Sequence, residues 1–319
     1  MLEKFNCFVF RAFYAILSVV IYNIRMQRRV FMKNGDRIRL GIQMFNFFAG
    51  GDWEQIQSQE DAEQLLVRLA DAGYDGVEWL NFQFAGKDLD LPALKAKMDS
   101  LGLETCSLHF HYQNAETLEE DCRIAAERCL FLGTDKLIFA FSLPTMFGIE
   151  PDEKGNYTPQ QIDEWASHTD HVLSVLKDAC KGSGVKVLYH NHNTEFLKGS
   201  DGRYFLDMIH PEGLEPDVYW ISKGLDGKVS SALDYIRNYD GRIMLLHMKD
   251  GMDGSIHTGE MCGWGKGTYP LQKIVDCAKE LDLPWVVLEN DAPKNFGTSG
   301  LEDALECAEY AKEQIDLRK

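Results

Sequence analysis

The sequence predicts a single-domain α/β fold, a (β/α)8 TIM barrel, on three observations. Short apolar runs alternate with helix-period segments eight times between residue 38 and the C-terminus. Most of these runs are continuously apolar, as parallel strands buried on both faces require. The repeat stays even to the end and no GxGxxG follows the first run, which disfavours a doubly wound open sheet.

The strand candidates are 38–45 (RLGIQMF and flank), 76–80 (GVEWL), 104–110 (ETCSLHF), 136–141 (KLIFAF), 185–190 (VKVLYH), 217–221 (DVYWI), 243–248 (IMLLHM) and 285–290 (WVVLEN). Between them, SQEDAEQLLVRLADAG places Leu65, Leu66 and Leu69 on one helical face and ends at Gly73, a good helix stop. Similar helical patterns cover 92–101, 116–132, 159–181, 201–210, 229–238, 270–281 and 300–314. No low-complexity linker or second domain interrupts them.

With 319 residues, 45% of them hydrophobic, the chain can bury one large core. The net charge of −17 opposes a phosphate backbone, so nucleic acid is excluded as a partner. Eight cysteines show no CxxC pair and several fall in apolar runs, so they read as reduced core residues of a cytoplasmic protein.

Residues 1–31 stand apart from this pattern. FNCFVFRAFYAILSVVIYNI is apolar but interrupted by Arg11, and the basic cluster Arg25, Arg28 and Arg29 follows it. A cleaved signal places its charge before the apolar run, and a central Arg is costly in a membrane span. The expectation is an extension upstream of a true start at Met32, with a membrane anchor as the alternative, and a barrel over 32–319. Residues 1–37 carry seven basic and two acidic residues, which leaves the rest of the chain at −22.

In such a barrel the chemistry stands at the C-terminal strand ends. Polar residues converge there: Glu78 after the second strand, His109 and His111 after the third, and His190, His192 and Glu195 after the fifth. Asp217 lies on the sixth, His247, Lys249 and Asp250 follow the seventh, and Glu289 and Asp291 the eighth. One histidine at a strand end is more often a hydrogen-bonded loop residue than a ligand, and an Asp there commonly caps the next helix. Convergence from many strands outweighs those readings, because unpaired charges at a barrel mouth are costly unless a cation or substrate uses them. Mixed carboxylate and imidazole donors suit Mn²⁺, Mg²⁺, Co²⁺ or Zn²⁺.

YHNHNTEF, DVYWISKGLD, YDGRIMLLHMKD and VVLEND, in this order and spacing, resemble the sugar phosphate isomerase/epimerase group of the xylose isomerase-like TIM barrels. The resemblance runs from LGIQMF and AGYDGVEW to about residue 312. It implies one divalent metal, with Mn²⁺ the first choice, held by Asp217, His247, Glu289 and a strand-five group. That group is Glu195 or His190; Glu195 is assigned to the metal and His190 to proton transfer. Many relatives carry a Glu at the end of strand five, where this chain has histidines. They also often carry Pro at the position of Gly227.

The resemblance further implies a metal-dependent sugar isomerase or epimerase that abstracts a proton next to a carbonyl through a metal-stabilised enediolate. Glu289, His190 and Lys249 would be catalytic, and Glu78, His109, His111, His192 and Trp220 would contact a small sugar. Trp79, Phe47 and Trp264 are further candidate walls. Gly259 to Pro270 reads as a glycine-rich lid, with a phosphate as one candidate occupant. The alternatives are a dehydratase or lyase on an inosose or 3-keto-glycoside, and a non-catalytic sugar-binding homologue. A nuclease like endonuclease IV would need more ligands and a basic surface. A homo-oligomer is compatible with all of these.

Overall fold

The computed structural model describes residues 37–81, 89–239 and 241–319. The segment 1–31 and the start proposed at Met32 lie outside the described residues. Eight parallel strands form the sheet: β1 (Arg39–Gln43), β2 (Gly76–Leu80), β3 (Glu104–Phe110), β4 (Lys136–Ala140), β5 (Lys186–His190), β6 (Gly213–Glu215), β7 (Leu246–Met248) and β8 (Trp285–Leu288). Their order is β6-β5-β4-β3-β2-β1-β8-β7. Isolated parallel bridges Leu214–Ile243 and Asp217–His247 join β6 to β7, so the barrel is nearly closed.

Helices sit between the strands as the apolar periodicity requires. They are α1 (Phe45–Gly50), α2 (Gln59–Ala72), α3 (Leu91–Leu101), α4 (Leu118–Leu132), α5 (Pro159–Cys180), α6 (Val218–Gly224), α7 (Val229–Arg237), α8 (Leu271–Glu280) and α9 (Gly300–Gln314). In α2 the Ser58 side chain accepts from the Asp61 N–H while Asp61 accepts from the Ser58 N–H, a reciprocal cap. Leu65, Leu66 and Leu69 are buried, and Gly73 ends the helix at φ 98°. The seven described cysteines are all free and buried. Among the described residues, no helix is long and apolar enough to cross a membrane.

Two predicted elements are corrected. DVYWI is not the sixth strand: Gly213–Glu215 is, and Asp217 caps α6, its Oδ1 accepting the Trp220 N–H at 3.0 Å. Val218, Tyr219 and Ile221 are buried from a helix, which an apolar run this short does not distinguish from a strand. The helix predicted over 201–210 is only a 3-10 turn at Phe205–Asp207, with Gly202 at φ 83° before it and Pro211 after it.

The strands also explain why polar groups collect at one end. Cys106, Ile138, Ala140, Leu188, Leu245, Trp285 and Val287 form an apolar plug distinct from the larger core that includes the helix faces. Two residues on from Leu188, Leu245 and Val287 come His190, His247 and Glu289, which the strand period of two puts on the same side. The barrel interior thus changes from apolar to ionisable within one step. Between β2 and β3 the register shifts at Val77/Glu78, so that Glu78 pairs with Ser107. Such irregularities re-aim side chains near functional sites.

Candidate active site

His247 is the hub of the polar layer. It is fully buried, and its two ring nitrogens face different partners. Nε2 lies 2.7 Å from Glu78 Oε1 and 3.4 Å from Glu215 Oε1. Nδ1 lies 2.9 Å from Glu289 Oε2 and 3.9 Å from Asp217 Oδ2. The first nitrogen is held from below, and the second is presented to the carboxylates of the mouth.

Glu78 and His109, expected to contact substrate, instead build the support beneath. Gln43 Nε2 donates to Glu78 Oε1 at 2.5 Å and lies 3.2 Å from His109 Nδ1, and Ser107 donates its hydroxyl to Glu78. His109 Nε2 lies 2.8 Å from Glu78 Oε1 and 2.7 Å from Glu215 Oε2. Glu78 and Glu215 are fully buried and His109 nearly so, so these groups act on other side chains. Glu215 and Gln43 were not anticipated. Two acids astride Pro216 were the available signal for Glu215, masked by placing the sixth strand too late.

Two sets of four donors lie close enough to share an ion, each within 4.8 Å: His109, His190, Glu215 and His247, and His190, Asp217, His247 and Glu289. His190 Nδ1 is 3.3 Å from Glu215 Oε2, which turns its other nitrogen away from the support. Glu195, assigned to the metal from the sequence, stands in neither set. Its carboxylate accepts from the Tyr189 hydroxyl at 2.9 Å, the His192 N–H at 3.0 Å and the Thr194 hydroxyl at 2.9 Å. It braces the loop after β5 while His190 reaches the cluster.

Lys249 is buried with its ammonium 3.1 Å from Asp217 Oδ2, 2.8 Å from Glu289 Oε2 and 2.7 Å from Asp291 Oδ2. It also sits 5.3 Å from the Trp220 ring centre. His192 links Trp220, at 5.5 Å between ring centres, to Phe141, at 5.6 Å, forming one aromatic wall. His111 lies 6.4 Å from His109 between ring centres. Phe47, Trp79 and Trp264 are buried core residues, whereas Trp220 is half-buried.

The titration of these groups follows from burial and neighbours. Burial would raise Glu78, but His109 and His247 hold it well below the usual carboxylate range. Burial would lower His109, yet Glu78 and Glu215 push it up to about 9. His247 is likewise raised well above normal against its burial by Glu215 and Glu78. His190 is held well below normal by burial and by His247, His111 falls to about 3 by burial, and His192 falls to about 3 by burial and Lys249. Burial raises Asp217, and burial then Glu78 raise Glu215. Glu289 is lowered despite burial by Lys249 and His247, while burial and Glu289 lift Asp291 to about 7.

The donor set fits a divalent ion. In the polar layer His190 Nδ1, Glu215 Oε1 and Asp217 Oδ2 are buried without a hydrogen bond, although His190 Nδ1 lies 3.3 Å from Glu215 Oε2 and Asp217 Oδ2 lies 3.1 Å from the Lys249 ammonium. Buried polar atoms left this way are costly, and His190 and Asp217 stand with His247 and Glu289 in a set that one cation would bridge. Neutral imidazole is the form that ligates; His190 is held neutral, whereas His247, raised by Glu215 and Glu78, would give up a proton to a bound cation. Nitrogen and oxygen donors together match Mn²⁺, Co²⁺, Mg²⁺ or Zn²⁺.

The glycine-rich segment after β7 is organised around Asp250. Its Oδ1 accepts the N–H groups of Gly251 at 2.7 Å and Tyr269 at 3.2 Å, and its Oδ2 those of Gly265 at 2.8 Å and Gly267 at 3.1 Å. Asp250 therefore ties this segment down and caps no helix. Gly227, where relatives often have Pro, sits at φ 83°, and a Cβ there would stand 2.6 Å from the Ser255 carbonyl carbon. Proline, fixed near φ −65°, cannot take this conformation.

No curated protein matches the sequence. Solved structures share the fold. A sugar phosphate isomerase/epimerase from Parabacteroides distasonis superposes with a TM-score of 0.64 at 20% identity, covering 88% of this chain and 96% of that one. D-Allulose 3-epimerase from Methylomonas sp., in complex with D-allulose, does so at 0.56 and 16%, covering 88% and 98%. The IOLI protein with a binding zinc atom gives 0.59 and 15%, covering 86% and 96%. Residues 66–313 match the sequence profile of one family, so with its eight-stranded barrel and mouth of carboxylates and imidazoles the chain belongs to the xylose isomerase-like TIM barrel family.

Proposed function

We propose that the protein is a divalent-metal-dependent sugar isomerase or epimerase that moves a proton at the carbon next to a carbonyl. The observation that carries this reading is the convergence of His190, Asp217, His247 and Glu289 within 4.8 Å at the barrel mouth. These four would hold the ion, with His190 rather than Glu195 as the strand-five ligand. A bound divalent ion supplies Lewis acidity toward a carbonyl and its neighbouring hydroxyl, which makes the adjoining C–H more acidic.

The chain's own groups do the rest. Glu289, kept ionised by Lys249 and His247, takes the proton from carbon, and the Lys249 ammonium steadies negative charge developing on the substrate oxygen. His192, at the mouth and outside both donor sets, is the second proton carrier. Return of the proton to the opposite face gives an epimer, and return to the neighbouring carbon an isomer. Trp220 and Phe141 offer an apolar wall to a sugar face. The D-allulose complex of the Methylomonas epimerase and the zinc of the IOLI protein support a small sugar and a metal in this fold.

The test is a panel of ketoses, aldoses and inososes with Mn²⁺ in D₂O, read by NMR. Deuterium should enter the carbon next to the carbonyl as product forms, and a chelator should stop it. Turnover without C–H exchange refutes proton transfer, and a product lacking a hydroxyl or glycosidic oxygen assigns the protein to dehydration or lyase chemistry instead.

A further inference from the structure

Asn290 lies between Glu289 and Asp291, the two carboxylates that share the Lys249 ammonium. Its own polar groups are all taken. Its N–H donates to Asn46 Oδ1 at 2.6 Å, its Nδ2 donates to Asp303 Oδ1 at 3.1 Å, and its Oδ1 accepts the Ala292 N–H at 3.0 Å. Asn46 Nδ2 donates to Asp303 Oδ2 at 3.1 Å, which closes a ring of three buried side chains.

The ring joins α1, the end of β8 and α9. The two helices meet with no side chain between their backbones: a Cβ on Gly300 would collide with the Asn46 carbonyl, and one on Gly50 with the backbone of Gly300. Asp52 Oδ2 accepts the N–H groups of Gly300 at 2.6 Å and Leu301 at 3.2 Å, which fixes the start of α9 there. An ionised carboxylate only accepts, so Asn46 must turn its NH₂ toward Asp303, and its oxygen is left for the Asn290 N–H. With an amide at position 303 this order breaks, because its NH₂ would face the NH₂ of Asn46 or of Asn290. A reversed Asn46 sets its NH₂ against the Asn290 N–H, and a reversed Asn290 sets its own against the Ala292 N–H. Either way a backbone donor beside Glu289 and Asp291 loses its acceptor.

We propose that Asp303, outside both donor sets, is a positioning residue: it sets the amide of Asn46 and, through Asn290, the direction in which Glu289 and Asp291 are presented at the mouth. Its effect on a metal rests on the function proposed above; the geometry of the ring does not.

The experiment uses the full chain with two readouts, neither of them turnover. One is Mn²⁺ affinity from the free-ion EPR signal. The other is the ring-nitrogen NMR signals of His247 in the metal-free protein, since Nδ1 lies 2.9 Å from Glu289 Oε2. Asp303→Asn should bind Mn²⁺ about tenfold more weakly and shift the His247 signals. The exchange Asn46→Asp with Asp303→Asn should restore both, with affinity within about threefold of wild type. In it the carboxylate at 46 accepts from the amide at 303 and from the Asn290 N–H, and the amide at 303 accepts the Asn290 side chain. Tyr74→Phe is the stability control: the Tyr74 hydroxyl donates to the Ala304 oxygen at 2.7 Å, one residue along α9, and takes no part in the ring. It should lower the unfolding midpoint and leave both readouts as in wild type. Wild-type affinity or wild-type His247 signals in Asp303→Asn overturn the proposal. So does an exchange protein as impaired as the single variant, or a Tyr74→Phe protein that loses Mn²⁺ in step with its stability. Should Asp303→Asn not fold, the exchange protein and Asn46→Ala decide on the same criteria, the latter removing the acceptor of the Asn290 N–H and weakening Mn²⁺ about tenfold. A wild type that binds no Mn²⁺ sinks the proposed ligand set alone, and the His247 signals then decide the role of Asp303.

Discussion

Replacing His190 by alanine tests the ligand set most directly. The cluster offers four donors, and structural Zn²⁺ sites in zinc-finger peptides, an upper reference for carboxylate and imidazole donors on Mn²⁺, bind with apparent free energies of about 10–16 kcal/mol. One donor is then worth roughly 2.5–4 kcal/mol, so its removal should weaken binding by about 10²- to 10³-fold. Glu195 is spent on Tyr189, His192 and Thr194, so Glu195→Gln should change affinity by less than about threefold, roughly 0.6 kcal/mol. Binding is measured without substrate, by the loss of the free Mn²⁺ EPR signal or by competition with a chelating dye, after unfolding curves confirm that both variants fold. Affinity lost in Glu195→Gln and kept in His190→Ala would refute the assignment of strand five.

Other expectations follow from the same geometry. Lys249→Met leaves Asp217, Glu289 and Asp291 without their shared cation and should cost about 3–5 kcal/mol in urea unfolding, part of it restored by added Mn²⁺; an unchanged midpoint contradicts the charge balance described. Glu215→Gln removes the carboxylate facing His109 and His190 and should lower metal affinity about 10- to 100-fold, as loss of a group that orients a ligand does; unchanged affinity speaks against that support. Burial raises Glu195 from 4.5 to about 7. The unfolded chain releases this proton first as pH rises, so the stability it contributes is complete below about 4.5 and lost by about 7, roughly 3 kcal/mol in all. Glu195→Gln should flatten that part of the stability profile, and parallel wild-type and variant profiles from pH 4.5 to 7.5 would contradict it.

The sequence was most legible where periodicity and burial agree. GVEWL and ETCSLHF run as β2 and β3 over the residues expected, because strands buried on both faces leave continuous apolar runs. DVYWI was misread because four apolar residues fit a buried helical turn as well as a strand, and the capping bond from Asp217 to Trp220 is visible only in three dimensions. That displacement hid Glu215, whose place at the end of β6 makes it part of the cluster. Asp217, His247 and Glu289, expected near a metal from the family resemblance, stand with His190 in one donor set. The role of Glu78 was not legible, because the bond that defines it reaches His247, 169 residues away. The glycines after β7 showed in the sequence, but the anion they enclose did not.

Asp217 divides its carboxylate between two tasks. Oδ1 accepts the N–H of Trp220 in the first turn of α6, while Oδ2 faces Lys249 and the cluster. One rigid group therefore joins the ion-binding face to the wall beside the substrate, with no intervening loop to absorb movement. Rotation of that carboxylate about its own bond must disturb the start of α6, so Trp220 is a native optical probe of whether the mouth is charged or filled.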